Sequence, residues 1–458
     1  MNEMKKRAGF CVALFLLGVT LLIPWGEGRS LAPAEKWVAR YNGPRNGYDG
    51  ASAIAVDGSG NVYVTGCSGY IYDEEEESAI AGDYVTIKYN PNGKQLWVQR
   101  YDGPAKGMDW PSAVAVDGLG NVYVTGFSLG LGSDNDYTTI KYNTNGKQLW
   151  VKRYNGPGNG ADNAFAVAVD GSGNVYVTGN SKGSDPYGDY ATIKYNTNGK
   201  QLWVKRYNGL GNGDDSANAI ALDGSGNVYV TGGSEYSGFN HDYVTIKFNT
   251  NGIQLWIARY NGPGNEWDYA HAIAVDGSGN VYVTGMSEGS DTGSDYATIK
   301  YNTNGLQLWS KRYNGPGNWW DAACAIAVDG SGNVCVTGSS LGLSTIYGNY
   351  DYATIKYNTN GLQLWVQRYD GPTKGEDWAS EVAMDGSGNV YVTGSSYGDY
   401  ATVKYGPNGK QLWVKRYDGP SKGDDGAAAI AVDKSGNVYV TGASYGSGTD
   451  SDYATVKY

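Results

Sequence analysis

A ten-residue stretch recurs eight times along the 458-residue chain, and its spacing limits the folds that the chain can adopt. At 276–285 it reads Asp-Gly-Ser-Gly-Asn-Val-Tyr-Val-Thr-Gly. The steps between successive copies are 60, 53, 53, 53, 53, 56 and 48 residues. A period of about 50 residues is typical of solenoids and propellers. The eight residues that open these stretches, the turn aspartates, are Asp57, Asp117, Asp170, Asp223, Asp276, Asp329, Asp385 and Asp433.

Each repeat contains four strand-like segments. In the third repeat, residues 164–170 and 174–178 flank the Asp-Gly-Ser-Gly-Asn turn, and residues 189–195 and 201–207 flank an Asn-Thr-Asn-Gly turn. Glycine supplies the positive φ that such hairpin turns need. Three short connections followed by one long glycine-rich link predict a propeller blade, because the long link must carry the chain from one blade's outer strand to the next blade's inner strand.

The two ends of the repeat region predict a closed ring. Residues 37–41 read as an outer strand with no blade before it, and residues 452–458 read as a third strand with no outer strand after it. The two fragments add up to one blade, whereas a solenoid needs atypical polar caps at its ends. The sequence therefore predicts an all-β fold, an eight-bladed β-propeller of four-stranded antiparallel blades closed by the N-terminal strand.

The first 34 residues predict an export signal. Lys5-Lys6-Arg7 precedes an apolar run from 10 to 25, and Ala32-Pro33-Ala34 fits a cleavage site. An uncleaved membrane anchor is the alternative, but the run is short and interrupted by Gly18 and Pro24. We therefore expect residues 35–458 to form one propeller domain, exported to the cell surface, the periplasm or the medium, with no membrane span.

Charge excludes one class of partner. The formal net charge is -11, and residues 1–34 carry a net +2, so the mature chain has -13. A strongly acidic surface disfavours binding to a phosphate backbone, and we expect no nucleic-acid partner.

The repeat resembles a known type. The segments 273–284 and 296–305 resemble the bacterial β-propeller repeat called SBBP and are similar to the NHL repeat. The likeness extends over residues 37–458. It implies an extracellular scaffold without implying a reaction. SBBP propellers are usually described as seven-bladed, whereas this chain shows eight repeats.

Strand direction separates the two faces of the predicted disc. Because successive strands are antiparallel, the two kinds of short turn lie on one face and vary little. The loops between second and third strands and the blade-to-blade links lie on the other, the variable face. Five of the 14 tryptophans fall in or beside these links, and we predict a protein or glycan platform there. The alternative is that the rings pack each link against its neighbouring blade. The candidate binding residues are Tyr48, Trp110, Trp267, Tyr269, Trp319, Trp320 and Trp378, together with Glu381.

Catalytic and metal motifs give little support to an enzyme. With only His241 and His271, a histidine metal site or a serine–histidine triad is not expected, and we predict no metal and no cofactor. The mature cysteines Cys67, Cys324 and Cys335 are predicted to be buried and unpaired. Glu381 replaces the alanine of the other inner strands, so a carboxylate-based hydrolase or lyase remains the alternative to a binding scaffold.

A second set of aspartates lies eight residues before the turn aspartates, where each inner strand begins. We expect these ring aspartates to circle the channel mouth on the variable face. A bound cation or backbone N–H groups of the links could relieve their repulsion, and we favour the backbone because every blade has the residue. The ring aspartates are Asp49, Asp109, Asp162, Asp215, Asp268, Asp321, Asp377 and Asp425. A monomer is expected.

Overall fold

The computed structural model describes residues 32–73, 78–80, 82–184, 186–237, 240–343, 349–373, 375–421 and 423–458. Most of the predicted export signal, and the acidic run 74–77, therefore lie outside the described residues. No helix occurs in the described ranges, and so none there is long and apolar enough to cross a membrane.

Eight antiparallel sheets form the molecule, and each is one propeller blade. Within blades 1–7, the strands follow chain order from the inner to the outer edge. Each inner strand contacts the inner strands of the blades on both sides, all the way round the ring. The fold class that the sequence predicts is therefore confirmed.

The strand bounds of blades 1–4 are as follows. Blade 1 has β2 (Tyr48–Val56), β3 (Val62–Asp73), β4 (Ser78–Ile80), β5 (Asp83–Tyr89) and β6 (Gln95–Tyr101), with β4 paired only to β3. Blade 2 has β7 (Asp109–Val116), β8 (Val122–Leu129), β9 (Asn135–Tyr142) and β10 (Gln148–Tyr154). Blade 3 has β11 (Asp162–Val169), β12 (Val175–Lys182), β13 (Gly188–Tyr195) and β14 (Gln201–Tyr207). Blade 4 has β15 (Asp215–Leu222), β16 (Val228–Ser237), β17 (Asn240–Phe248) and β18 (Gln254–Tyr260).

The remaining blades follow the same plan. Blade 5 has β19 (Asp268–Val275), β20 (Val281–Glu288), β21 (Ser294–Tyr301) and β22 (Gln307–Tyr313). Blade 6 has β23 (Asp321–Val328), β24 (Val334–Leu341), β25 (Tyr350–Tyr357) and β26 (Gln363–Tyr369). Blade 7 has β27 (Asp377–Met384), β28 (Val390–Ser396), β29 (Asp399–Tyr405) and β30 (Gln411–Tyr417). Blade 8 has β31 (Gly426–Val432), β32 (Val438–Tyr445) and β33 (Ser451–Lys457), with β1 (Trp37–Tyr41) as its outer strand.

The turn aspartates hold the first hairpin of each blade. Asp57 Oδ1 accepts the backbone N–H groups of Ser59 and Asn61, both at 2.9 Å. Its Oδ2 accepts the Tyr63 hydroxyl at 2.9 Å. Gly60, with φ of 79°, takes the left-handed position that a residue with a Cβ rarely adopts. Side-chain and backbone geometry together explain why the motif recurs with so little change.

Blades are joined by polar contacts as well as by packing. The carbonyl oxygen of Thr197 in blade 3 accepts hydrogen bonds from Lys141 Nζ at 3.0 Å and Trp150 Nε1 at 3.1 Å, both in blade 2. The Tyr137 hydroxyl donates to the Ala191 carbonyl of blade 3 at 3.1 Å. The aromatic rings also fill the gap that widens between blades away from the axis.

The same contacts close the ring between blades 8 and 1. β1 pairs antiparallel with β33 from Trp37↔Lys457 to Tyr41↔Tyr453. The Pro91 carbonyl of blade 1 accepts from Lys457 Nζ at 2.9 Å and Trp37 Nε1 at 3.1 Å. The first strand of the chain therefore occupies the position that the fourth strand holds in every other blade.

The three cysteines are unpaired, as the sequence predicts. Cys335 lies opposite Ala327 across the first hairpin of blade 6, and Cys324 lies three positions earlier on the inner strand. Cys67, Cys324 and Cys335 are free thiols, and only Cys324 is half-buried rather than buried, which corrects the expectation of three buried thiols. Cys324 sits at a bulge of β23 where the inner strand faces the axis.

Candidate functional site

The ring aspartates open the inner strands but lie inside the blades. Asp109 begins β7 and is fully buried, and the other seven are as deeply enclosed. Their carboxylates are therefore covered by the links rather than exposed at a channel mouth. The sequence predicts where these residues stand along the chain, but not how deeply the links cover them.

Backbone N–H groups of the links bind these carboxylates. Asp109 Oδ2 accepts the Gly103 N–H at 2.5 Å, six residues earlier in the link. The same bond forms in all eight blades, from Gly43, Gly103, Gly156, Gly209, Gly262, Gly315, Gly371 and Gly419. The sequence left two ways to offset the repulsion between the ring aspartates, a bound cation or backbone N–H groups. The backbone hydrogen bonds are present in every blade.

An arginine ties together the strand ends beside each ring aspartate. Arg153 on the outer strand of blade 2 donates from Nη1 to Ser128 Oγ at 2.6 Å and from Nη2 to Asp136 Oδ2 at 2.8 Å. It also donates to the hydroxyl of Tyr101, which belongs to blade 1, at 3.3 Å. The Ser128 hydroxyl in turn stabilises the charged form of Asp109. One polar network thus spans the variable-face end of a blade and reaches its neighbour.

Burial controls the protonation of this network. It raises the pKa of Asp109, Asp215 and Asp268 to about 6 in each case, against the opposing hydrogen bonds. Asp102 and Asp83 add to the rise at Asp109, because neighbouring negative charge disfavours ionisation.

The predicted aromatic residues form inter-blade contacts in three places on the variable face. Tyr48 stacks on Trp110 of the next blade, with ring centroids 6.2 Å apart. Tyr269 stacks on His241 of the preceding blade at 4.9 Å, and Trp267 lies 5.8 Å from the same imidazole. Tyr48, Trp110 and Tyr269 are half-buried and pack links against neighbouring blades, as the packing alternative expects, whereas Trp267 is 39% exposed.

The third contact group lies between blades 6 and 7. Trp320 lies 5.7 Å from Trp378 and 5.4 Å from Tyr350, which is 4.5 Å from Trp378. Trp319 differs from its neighbour, because 69% of its side chain is exposed. The adjacent tryptophans therefore have different roles, one within a ring cluster and one facing solvent.

Exposed aromatic side chains in the described ranges all lie on the variable face. Trp267 and Trp319 belong to the predicted set, whereas the four exposed tyrosines were missed. Tyr187 and Tyr397 occur in the loops between second and third strands, and Tyr236 and Tyr445 lie at the ends of second strands beside those loops. The variability of these regions among repeats was the signal that could have found the tyrosines. The six exposed rings are Tyr187, Tyr236, Trp267, Trp319, Tyr397 and Tyr445.

Glu381 is buried between two inner strands. It is 7% exposed, and its Oε2 accepts the Ile430 N–H of blade 8 at 2.6 Å. Burial raises the pKa of Glu381 to about 8, so the group is mostly protonated at neutral pH. The carboxyl therefore binds blade 7 to blade 8 and is not an open acid at the channel mouth.

One further set of inner-strand positions escaped the sequence reasoning. Each inner strand has a β-bulge, and at four of the eight the side chain of the bulged residue contacts the carbonyl that precedes the bulge in the next blade. Asn218 Nδ2 donates to the Ala270 carbonyl at 2.8 Å, and His271 Nδ1 lies 2.8 Å from the Ala323 carbonyl. These bulge positions vary among repeats within otherwise constant strands, and that variability was the signal that could have identified them. The positions are Ser52, Ser112, Phe165, Asn218, His271, Cys324, Ser380 and Ala428.

Comparison with solved structures finds distant similarities. The chain is similar to a crystal structure of a eukaryotic initiation factor at 8% identity, with a TM-score of 0.43 and coverage of 85% of this chain and 90% of that one. It is also similar to the β-propeller domain of the Trilobed protease from Pyrococcus furiosus at 10% identity, with a TM-score of 0.43 and coverage of 75% and 94%. No curated protein sequence matches the chain.

The sequence repeats themselves match a family model. Six segments match the SBBP beta-propeller repeat, at residues 96–131, 149–188, 202–235, 255–291, 371–401 and 412–448. Five of the segments begin in an outer strand and run through the link and the first hairpin of the next blade, whereas 371–401 begins in the link. The chain is therefore an eight-bladed β-propeller in which six segments match the SBBP beta-propeller repeat.

Proposed function

We propose that the protein is an exported scaffold that binds a protein or carbohydrate ligand through its variable face. The observation that carries this proposal is the placement of all six exposed aromatic rings of the described residues on that face. Aromatic rings combine a large apolar area with few rotatable bonds, which suits them to sugar faces and peptide side chains.

The scaffold beneath these rings supports a binding role. The links that carry Trp267 and Trp319 each end at a buried ring aspartate. Its carboxylate accepts a backbone N–H from the start of the same link, at 2.5 Å from Gly262 and at 2.6 Å from Gly315. A site built on rigidly held backbone loses less entropy when a ligand binds. The network common to all blades thus holds loops whose exposed side chains differ from blade to blade.

Export rests on the sequence alone. Lys5-Lys6-Arg7 followed by an apolar run and Ala32-Pro33-Ala34 is typical of a cleaved secretory signal. Expression with the native N-terminus, followed by N-terminal sequencing of the protein recovered outside the cytoplasm, tests it. A mature terminus near residue 35 supports export, and recovery of the full-length chain inside the cell contradicts it.

Array binding tests the proposed ligand site. The mature chain is applied to a glycan array and to a peptide array, alongside a variant with Trp267→Ala and Trp319→Ala. We expect retention of the parent and at least a tenfold loss in the variant. Leu119→Ala, an exposed residue of the opposite face, is the matched control and should bind like the parent. Equal binding by all three proteins, or no retention of the parent, contradicts the proposal.

A carbohydrate-active hydrolase or lyase is the second candidate. The raised pKa of Glu381, to about 8, is the observation in its favour, because a general acid must be protonated at working pH. Its burial and its bond to Ile430 argue against direct contact with a substrate. Product detection on every retained glycan separates the candidates, since turnover that is lost in Glu381→Gln supports the enzyme and retention without products supports the scaffold.

A further inference from the structure

Two exposed tryptophans flank blade 5 on the variable face. Trp267 lies in the link that enters the blade, one residue before β19. Trp319 lies in the link that leaves the blade, two residues before β23 of blade 6. Because β19 and β23 contact each other around the axis, the two links lie side by side. The variable-face end of blade 5 is therefore bordered by two exposed indole rings.

The loop between the second and third strands of blade 5 joins these two links. The N–H of Glu288, at the end of β20, donates to the Trp267 carbonyl at 3.1 Å. Later in the same loop, Gly293 packs directly on the second link, because a Cβ at Gly293 would lie 1.5 Å from the Trp319 carbonyl oxygen. The loop and both tryptophan-bearing segments thus form one continuous surface.

Three carboxylates lie on this surface beside the rings. Glu266 precedes Trp267 in the chain and is exposed, and Asp291 is exposed within the loop. Glu288 is half-buried, and its Oε1 accepts the Ser294 hydroxyl at 2.5 Å, which orients the carboxylate. We call these residues together the blade 5 platform, and its members are Trp267, Trp319, Glu266, Glu288 and Asp291.

No cationic side chain of the surrounding segments offsets these carboxylates. Residues 261–268, 286–295 and 314–321, which form the surface, contain no lysine or arginine. The arginines that end the outer strands before these links pair with an aspartate of their own blade, as Arg312 does with Asp295 at 2.7 Å. None of the platform carboxylates forms an ion pair among the described residues, so their negative charge faces solvent uncompensated.

Blade 3 has the same strand arrangement without these features. Lys182 ends its second strand where Glu288 ends that of blade 5. Ala161 precedes its inner strand where Trp267 precedes that of blade 5. The fold therefore does not require a ring or a carboxylate at these positions, and their combination is specific to blade 5.

We propose that the blade 5 platform binds a lysine- or arginine-bearing segment of a partner protein, an inference that rests on the proposed function and narrows its ligand class. Indole faces attract ammonium and guanidinium groups, and carboxylates accept strong hydrogen bonds from the same groups. The chain's formal net charge of -11 also favours encounter with a cationic partner. A neutral glycan could stack on the rings but would leave the charge of the carboxylates uncompensated.

Fluorescence anisotropy with a labelled peptide of four Lys-Gly repeats tests the proposal at about 0.15 M salt, where distant charges are screened. We expect the mature chain to bind this peptide. The triple variant Glu266→Gln, Glu288→Gln and Asp291→Asn should bind it about tenfold more weakly, because the charge-assisted hydrogen bonds are lost while the rings remain.

A second triple variant controls for the overall charge. Asp134→Asn, Asp424→Asn and Asp450→Asn remove the same number of charges from exposed positions elsewhere on the variable face, and binding should change by less than about twofold. Equal losses in the two triple variants would show general attraction to an acidic protein and overturn the proposal. Arrays on which Trp267→Ala and Trp319→Ala abolish retention of neutral glycans or uncharged peptides alone would overturn the cationic ligand while supporting the variable face as a binding surface.

A charge reversal separates recognition from a structural role. Glu288→Lys places in blade 5 the residue type that blade 3 carries at Lys182, so the fold should be kept. The Lys-Gly peptide should bind Glu288→Lys more weakly than Glu288→Gln, and the melting temperatures of both variants should match that of the parent. Unchanged peptide binding by Glu288→Lys would overturn the proposal, as would a loss of binding that accompanies a lowered melting temperature in both variants.

Discussion

Arg40 in the first strand donates from Nη2 to Oδ2 of Asp452 in the last strand, at 2.9 Å. It also donates to Ser444 Oγ at 2.6 Å and to the Tyr417 hydroxyl of blade 7 at 2.9 Å. Arg153 has the same set of partners in blade 2, where the whole blade is one continuous stretch of chain. The N-terminal strand thus completes the polar network of blade 8 as well as its sheet.

Ring closure predicts that the first strand is as important as any internal outer strand. Trp37→Ala should destabilise the fold by about 2–4 kcal/mol, because a large aromatic ring packed between blades is lost together with its hydrogen bond to Pro91. Thermal unfolding measures it, with Trp203→Ala as the matched variant in an unbroken blade. A clearly smaller loss for Trp37→Ala, or an unchanged melt after deletion of residues 35–41, contradicts closure.

Two adjacent tryptophans should respond differently to truncation. Trp320→Ala should destabilise the protein by about 1–3 kcal/mol, because its ring packs against Tyr350 and Trp378. Trp319→Ala should change stability by less than ~0.5 kcal/mol, since its side chain is exposed. Urea unfolding of both variants compares them, and equal losses would show that Trp319 is a packing residue.

The ring aspartates should be structural, and Asp268 provides the test. Asp268→Asn should cost about 1 kcal/mol, because the amide keeps one acceptor oxygen to serve both the Gly262 N–H and the Ser287 hydroxyl. Calcium should not alter this difference, because the Gly262 N–H already binds the carboxylate. Calorimetry with calcium and with chelator is the measurement, and a calcium-dependent melt that Asp268→Asn removes would place a cation beside Asp268.

Glu381 should make stability depend on pH. Its pKa is about 8 in the folded chain against about 4.3 unfolded, so the folded state binds the proton more tightly over that range. Stability contributed by this group is therefore greatest below pH ~4.3 and falls by up to about 1.4 kcal/mol per unit until pH ~8. Glu381→Gln should remove this slope, and its advantage over the parent should grow with pH.

Unfolding midpoints of both proteins at pH 5, 7 and 9 test this dependence. Glu381→Gln keeps an oxygen that can accept the Ile430 N–H, so its fold should be unchanged. Asp57, Asp223 and Asp433 act in the opposite direction, because hydrogen bonds lower the pKa of each below its usual value despite burial. The stability that these three aspartates contribute is lost at acid pH in both the parent and Glu381→Gln, so it cancels when the two proteins are compared. Parallel pH profiles would show that Glu381 is not protonated in the folded state.

The sequence predicts the fold well because the repeat encodes it locally. Turn aspartates such as Asp57 bond their own hairpin, and the spacing of the hairpins leaves a propeller as the architecture that closes. The burial of individual side chains was harder to predict than the fold. Asp109 and Glu381 were both expected near open solvent, yet side chains and links from neighbouring blades cover them. Burial by a neighbouring repeat depends on the angle between blades, which no local pattern records.

The candidate site shows the same limit. Trp267 and Trp319 were identified because rare tryptophans stand out in a link, whereas Tyr187 and Tyr397 were hidden among the chain's 40 tyrosines. The arginine network was also missed, since Arg153 meets Asp136 of its own blade and not the ring aspartate nearest in sequence. Contacts between strands that are distant in the chain require the register that the structure supplies.

Hydrogen–deuterium exchange of the mature chain, with and without the ligand that the arrays retain, tests the central claim of a ligand-binding variable face most directly. We predict added protection in the link that carries Trp319 and in the loop that carries Tyr397, which is 63% exposed. No change is expected in the turns that begin at the turn aspartates. Protection confined to those turns, with none in the links and loops, would contradict binding through the variable face.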